Sequence, residues 1–292
     1  MRFHRIVVIG AGRIACDCIR TLYELAPDAL TVIESAHQQL SMVRAFAAKR
    51  HLPYEVLTEK EDIHRRLTEL AGSGPTLIVS ANNRYIFTQE LIGRENVEII
   101  NFHYGYLPHY RGMNIPTWTI YNGEPYTGVT WHHVTAEVDH GRILAQEKIP
   151  IGEHTTAFDV VREGMRIGQR LFAESIPAFL DHPMAGREIS YPDEPVYRFR
   201  ELPGDGFLDV MRSTDDIYRH LRSFDYGRPE LFFPLRVRWH GEVYDVTSYG
   251  RPSLTDAAEG IVCHDGKLTV VKDGEQISMA LENSRDDGGL GA

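Results

Sequence analysis

Asn101 and His103, two positions apart, open the stretch of this 292-residue chain in which side chains with chemistry are densest: Asn101-Phe102-His103-Tyr104-Gly105-Tyr106-Leu107-Pro108-His109-Tyr110-Arg111-Gly112. The apolar run from Val97 leads into Asn101 and reads as a strand. Residues two apart on a strand leave the same face, so both side chains point into one cleft at the carboxyl edge of a sheet. Asp139 lies downstream in Val138-Asp139-His140-Gly141, after the strand-like Thr127-Gly128-Val129-Thr130. An amide donor, an imidazole and a carboxylate suit the attack of an amine on a carbonyl carbon. Such a reaction needs a donor for the developing oxyanion and an acceptor for the proton of the attacking nitrogen. A carboxylate brought in by the loop from Thr135 to Gly141 can orient the imidazole and raise its basicity. Singly, each residue has a blander reading. Polar side chains at strand ends satisfy loop backbone groups, and Asp followed closely by Gly is an ordinary turn.

The elements that must hold these residues are legible as an α/β pattern. Ile6 to Ile9 is a short buried strand, followed by Gly10-Ala11-Gly12 and then by Ile19, Leu22 and Leu25 at helical spacing. Leu30 to Ile33 and Leu77 to Val79 read as further strands, with helices around Leu40 to Arg50 and Ile63 to Ala71 between them. That alternation predicts a parallel sheet. Gly128 to His133 and Arg142 to Ile149 are strands flanking the Asp139 loop. A long helix opens at Thr155 or Thr156, with Asp159 completing a capping box and Val161, Met165, Leu171, Phe172, Ile176 and Phe179 as its apolar stripe, and it ends at Pro183 and Gly186. Tyr191 to Gly206 reads as a linker. Thr214 starts a short helix that stops near Gly227. Beyond it, Leu235-Val237-Trp239, the His240-Gly241 turn, and the Asp265-Gly266 and Asp273-Gly274 hairpin signals predict a small antiparallel β domain. The expected organisation is therefore a main domain over 1–191, a linker with a short helix over 192–234, a β domain over 235–282, and a disordered tail over 283–292.

Composition narrows the partners. A formal charge of −10, with no clustered Lys/Arg run, argues against nucleic acid. Apolar runs such as Thr76 to Ser80 fall far short of the ~20 residues of a membrane helix, and Met1 to Arg5 leads into a strand too short for a signal segment, so a cytoplasmic protein is expected. Cys16, Cys18 and Cys263 form neither a disulfide framework nor a zinc pattern. His103, His109, His132, His133 and His140 suggest a metal, but no ligand spacing supports one, and His132 and His133 on a strand must face opposite sides. No metal is expected.

With these residues in order, the chain resembles the folate-dependent formyltransferase family, whose members act on methionyl-tRNA, glycinamide ribonucleotide and nucleotide-linked amino sugars. The Asn-x-His, Leu-Pro and Arg-Gly elements, the Thr-Gly-Val-Thr strand and the Asp-x-Gly loop all fall between Asn101 and Gln146. The resemblance implies a Rossmann-like formyltransferase domain carrying a small C-terminal antiparallel β domain, and 10-formyltetrahydrofolate as co-substrate. It also implies Asn101, His103 and Asp139 as the catalytic trio. The folate would lie between the segment Asn83-Arg84-Tyr85-Ile86-Phe87 and the Val134 to Asp139 loop, which places Val138 against it. One departure stands out: the family often has Ser-Leu-Leu-Pro where this chain has Gly105-Tyr106-Leu107-Pro108.

The glycine turn carries a competing signal. Gly10-x-Gly12-x-x-Ala15 follows a strand and opens a helix, and Glu34 ends the next strand, as in a dinucleotide fingerprint. An NAD-dependent oxidoreductase is thus the alternative of another class, though it leaves the Asn101 to Gln146 block unexplained. On the formyltransferase reading, the acceptor is a small-molecule amine, first of all a nucleotide-linked amino sugar. An amino acid or hydroxylamine intermediate is the alternative. Gly12, Arg13, Tyr106 and Arg111 are the candidate acceptor contacts, since a helix N-terminus and two arginines can hold a phosphate. The glycines equally suit tight packing and the arginines surface carboxylates. The terminal hairpins expose edges able to pair between subunits, which would make a homodimer.

Overall fold

A computed structural model describes residues 2–72, 74–182, 186–228 and 232–284. The chain folds as two compact units. The first comprises Met1–Gly112, Gly128–Ile149 and Arg162–Val196, and the second Met113–Thr127, Pro150–Val161 and the chain from Tyr197 onward. A cut at Tyr191 thus lies close to the last crossing, but two earlier segments interleave.

In the first unit, strands and helices alternate as β1 (Arg5–Gly10), α1 (Gly12–Leu25), β2 (Leu30–Glu34), α2 (Met42–Arg50), β3 (Tyr54–Val56), α3 (Lys60–Ala71), β4 (Thr76–Ala81), α4 (Gln89–Ile92) and β5 (Val97–His103). After α5 (Ile115–Tyr121), which belongs to the second unit, the chain continues as β6 (Tyr126–His133), β7 (Ile143–Pro150) and α6 (Ala157–Asp181). The sheet order is β3-β2-β1-β4-β5-β6-β7. β3, β2, β1, β4 and β5 are parallel, and β6 runs antiparallel to β5. Parallel strands covered on both faces read as continuous apolar runs, and Ile6 to Ile9 and Leu77 to Val79 are fully buried in this way.

The two faces carry separate cores. Ile78, Ile99, Ile63 and Leu67 pack together on one, while Phe102, Trp131, Ile167, Phe172 and Phe179 pack on the other. α6 begins with the expected capping box, in which Thr156 and Asp159 exchange backbone-to-side-chain hydrogen bonds of 3.1 and 3.2 Å. Its buried stripe differs at the start from the expected one: Val160 and Ile167 are buried, whereas Val161 and Met165 are only partly so. The reason is that Gly164 and Gly168 lie on the contact face. A Cβ at Gly168 would stand 2.3 Å from the Phe102 ring, and one at Gly164 would stand 2.8 Å from Tyr104. The Trp131 indole donates to the Gly168 carbonyl at 2.9 Å. Two glycines, invisible to a hydrophobic pattern, thus let the helix rest directly on the residues flanking His103. The helix end expected at Pro183 lies outside the described residues.

In the second unit, α7 (Thr214–Phe224) is capped by Ser213, whose hydroxyl accepts from the Asp216 amide at 3.2 Å. It ends at Phe224 rather than at Gly227, whose amide is held by the Asp225 carboxylate at 2.9 Å. β8 (Arg236–Trp239), β9 (Glu242–Tyr249), β10 (Ser253–Leu254), β11 (Gly260–His264), β12 (Lys267–Lys272) and β13 (Glu275–Asn283) form the antiparallel sheet, in the order β11-β12-β13-β9-β8 with β10 on β13. Both Asp-Gly pairs have positive φ at both positions, as two-residue hairpins require. β13 runs to Asn283, one residue into the expected tail, and residues 285–292 lie outside the described part.

Candidate active site

The site grows out of the antiparallel pairing of β5 with β6, which sets Asn101 opposite His132 and His103 opposite Thr130. Strand alternation then sorts the side chains. Phe102 and Trp131 enter the core under α6, so Asn101, His103, Thr130 and His132 share the other face. His133 turns away, with its ring 5.5 Å from that of Phe179.

His103 is 6% exposed and held from two sides. Its Nε2 lies 2.8 Å from the Tyr110 carbonyl and its Nδ1 3.4 Å from Asp139 Oδ2. A carbonyl only accepts, so Nε2 carries the hydrogen and Nδ1 is the basic atom of the neutral ring. Burial pushes the imidazole below its usual range, and Asp139 only partly opposes it. Burial alone would raise the Asp139 carboxyl; His103, His132 and the Gly112 amide together outweigh that and hold it well below the carboxylate range. The Gly112 amide donates to Oδ2 at 2.8 Å. A neutral imidazole therefore sits beside an ionised carboxylate, and a proton arriving at Nδ1 is received next to a negative charge.

Local backbone makes room for this. A Cβ on Gly105 would lie 2.4 Å from His103 Nε2 and 2.9 Å from the Tyr110 carbonyl oxygen, so the glycine leaves the space the ring occupies. Tyr110 and Asp139 both adopt left-handed φ, 57° and 49°, a conformation that is uncommon outside Gly, Asn and Asp and collects at functional sites. Thr130 fixes the loop between: its hydroxyl donates to the Gly105 carbonyl at 2.6 Å and accepts from the Leu107 amide at 3.3 Å. A Cβ on Gly128 would lie 2.5 Å from the Glu147 carbonyl oxygen of β7 and 3.0 Å from Tyr106, so Gly128 admits both β7 and the loop after His103, while Thr130 fixes that loop.

His132 is the member that sequence reasoning did not assign. It is fully buried; its Nδ1 donates to the His133 carbonyl at 2.8 Å, which leaves Nε2 to accept. Nε2 lies 3.2 Å from Asn101 Nδ2 and 3.3 Å from Asp139 Oδ1. Accepting one Asn101 N–H turns the amide nitrogen inward and leaves its second N–H to donate elsewhere. The signal was its place two residues beyond Thr130, on the same face.

The other expected residues fall into distinct places. Asn83 makes a local turn, accepting from the Tyr85 amide at 3.1 Å. Tyr85 and Phe87 belong to the core, edge to face at 5.3 Å, while Arg84 and Ile86 are exposed, Ile86 by 71%. Val138 is 41% exposed, and Val134, at the start of its loop, packs against the cluster containing Tyr85 and Phe87. Tyr106 lies with the Lys148 ammonium 5.1 Å from its ring centre. Arg111 is turned inward, 8% exposed, donating to the Glu194 carbonyl at 2.9 Å. Arg13 pairs with Asp17 at 3.4 Å. Gly12 has φ +73° at the start of α1. A Cβ on Gly10 would lie 1.8 Å from the Ala81 carbonyl oxygen, and the Asn82 amide donates to the Ala11 carbonyl at 3.2 Å. Gly10 therefore serves close packing of β1 on β4. Glu34, the residue a dinucleotide fingerprint would use, is fully buried and accepts from Ser41 and Tyr54 at 2.6 and 2.5 Å. Both its oxygens are engaged within the chain, Oε1 by Ser41 and Oε2 by Tyr54. Among the described residues, no cluster of three His, Cys, Asp or Glu is placed to hold a metal, and no helix is long and apolar enough to cross a membrane.

A match to the formyl transferase family spans residues 22–176, more than half of the sequence. Over 159 residues, 54% of this chain, the sequence is 30% identical to the bifunctional polymyxin resistance protein ArnA of Wigglesworthia glossinidia brevipalpis, of whose length it covers 24%. It is 28% identical over 248 residues to GDP-perosamine N-formyltransferase of Brucella melitensis biotype 1, covering 84% of this chain and 92% of that one. The N-formyltransferase of Helicobacter canadensis, solved with folinic acid and dTDP-3-aminofucose, superposes with a TM-score of 0.72 at 17% identity, over 95% of this chain and 99% of the other. That likeness is one of fold.

Proposed function

The chain belongs to the formyl transferase family, and from that premise we propose that it transfers the formyl group of 10-formyltetrahydrofolate to the amine of a nucleotide-linked amino sugar. The observation that carries this reading is the convergence of Asn101, His103, His132 and Asp139 in one buried polar cluster. The relative that this chain covers over 92% of its length is a GDP-perosamine N-formyltransferase, and the fold neighbour from Helicobacter canadensis was solved with a dTDP amino sugar; both support this acceptor class.

In the reaction, the acceptor nitrogen attacks the formyl carbon, a C–N bond forms, and the carbonyl electron pair moves onto oxygen. The Asn101 N–H left free by His132 donates to that oxyanion. His103 Nδ1 takes the proton lost by the nitrogen, and Asp139 compensates the imidazolium. Collapse restores the carbonyl and breaks the bond to the folate nitrogen, which takes the electron pair and a proton, releasing tetrahydrofolate. The exposed Ile86 and Val138, with Arg84 beside them, are assigned to the folate, while Asn83, Tyr85 and Phe87 shape the segment from beneath. Tyr106 and Arg111, and Gly12 with Arg13 at the start of α1, are assigned to the acceptor side.

Formylation is to be assayed with 10-formyltetrahydrofolate across guanosine-, thymidine- and uridine-diphosphate amino sugars, hydroxyornithine and charged initiator tRNA. Turnover with one of the sugar nucleotides is expected, reduced by about two orders of magnitude or more in Asn101→Ala and His103→Ala. Activity confined to hydroxyornithine or tRNA overturns the acceptor class, and tight NAD binding without a folate signal overturns the reaction.

A further inference from the structure

The segment that follows α6 contacts both loops of the site. The Arg187 amide and carbonyl bond Ile143 at 2.7 and 2.9 Å, beside the exit of the Asp139 loop. Arg142 pairs with Glu188 at 2.9 Å. The Tyr191 hydroxyl donates to the Gly141 carbonyl at 2.6 Å, and its ring stacks on His140 at 4.0 Å. Farther on, the Glu194 carbonyl accepts from Arg111 at 2.9 Å and its carboxylate meets His109 Nδ1 at 2.8 Å. The segment therefore ties the loop that carries Asp139 to the loop that supplies the Gly112 amide and the Tyr110 carbonyl.

We propose that Tyr191 is a positioning residue, holding the Asp139 carboxylate in register with His103 through its hydrogen bond to Gly141 and its stacking on His140. Asp139 needs such a hold. It lies in the connection between β6 and β7, outside both strands, and its backbone turns there through a left-handed φ of 49°. Gly141 fixes where the hold acts: a Cβ there would lie 1.8 Å from the His133 carbonyl oxygen, so the chain passes tight against the end of β6 two residues after Asp139. Burial raises the Tyr191 phenol to about 12, so it stays a donor throughout the neutral range. The Arg111 guanidinium lies 5.9 Å from the Tyr191 ring centre, fixing the ring from the second loop.

The kinetic consequence rests on the formyl-transfer reading, while the structural one does not. Tyr191→Phe in the full chain keeps the ring and removes only the hydroxyl. Amide hydrogen exchange at Gly112, whose N–H is held by Asp139, is expected to quicken about tenfold while amides in β1 and β4 are unchanged. In the formyl-transfer assay, kcat should fall about tenfold with KM for both substrates held within about twofold. This loss should vanish in an Asp139→Ala background, since Tyr191 then has no carboxylate to place. Unchanged exchange at Gly112, or a loss that adds in full to that of Asp139→Ala, overturns the assignment. If the wild-type chain transfers no formyl group to any acceptor, the functional reading fails, and the exchange result alone decides the role of Tyr191.

Discussion

Replacing Asp139 by Asn removes a charge with almost no change of shape, which isolates what the carboxylate does. The amide oxygen can still accept from the Gly112 N–H, now 2.8 Å away, so the loop keeps its anchor. What disappears is a negative charge 3.4 Å from His103 Nδ1, the atom proposed to take the proton. At an effective dielectric of about 20, two unit charges at that distance interact by about 5 kcal/mol. The transferring proton carries only part of its charge onto the ring in the transition state, which sets the loss at about 2 to 5 kcal/mol. The amide nitrogen then takes the Oδ1 place, 3.3 Å from His132 Nε2, and leaves the basic lone pair of Nδ1 untouched. kcat should therefore fall by roughly two to three orders of magnitude. KM for folate and acceptor should move by less than about threefold, because the lost interaction forms during the reaction. Steady-state formyl transfer, followed by tetrahydrofolate release, measures both constants. A kcat within about tenfold of wild type, or a defect residing wholly in KM, refutes the geometry argued for His103. The variant also has a stability signature. The folded Asp139 carboxyl is held below its unfolded value, so its contribution is present above about pH 4 and fades as the pH falls through the folded value. The stability gap between wild type and variant should shrink on acidification below pH 4.

Three further outcomes follow from particular contacts. Gly105→Ala drives a Cβ toward His103 Nε2 and the Tyr110 carbonyl, so kcat should fall at least about tenfold while the urea midpoint moves little, since the loop rather than the sheet is crowded. Gly168→Ala places a methyl against the buried Phe102 ring; overpacking of up to about 3 kcal/mol outweighs the roughly 1 kcal/mol of helix propensity gained, and urea denaturation should show a net loss near 2 kcal/mol. In the second unit, burial lowers the His220 imidazole to about 4. Because the folded state resists a proton that the unfolded state accepts, the histidine subtracts stability as the pH falls from about 6.5 to about 4, by up to about 3 kcal/mol. His220→Phe should flatten that part of the stability profile, and an unchanged slope would show that the ring is not kept neutral by burial.

Much of this was legible in the sequence because it rests on local rules. The two-residue period of a strand put Asn101 and His103 on one face, buried apolar runs marked the parallel strands, the Thr156 and Asp159 pair opened the long helix, and Asp-Gly pairs marked the hairpins that close the second sheet. Each of these depends on a few neighbouring residues and on backbone geometry that does not change with context. Tertiary structure decided what depends on pairing across the chain. His132 joined Asn101 only because β6 runs antiparallel to β5 in that register, and no property of His132 by itself distinguished it from His133. Gly105, Gly164 and Gly168 matter for the atoms that occupy the space a side chain would take, and those atoms come from His103, Tyr104 and Phe102. Gly10 and Glu34 looked like parts of a dinucleotide site until Ala81 was seen to close on the one, and Ser41 and Tyr54 to engage the other. Tyr85 and Phe87 could be read from sequence as ligand contacts or as core, and burial placed both in the core. A sequence states which donors and acceptors exist; which of them are already satisfied, and which remain for a substrate, is settled only when distant segments meet.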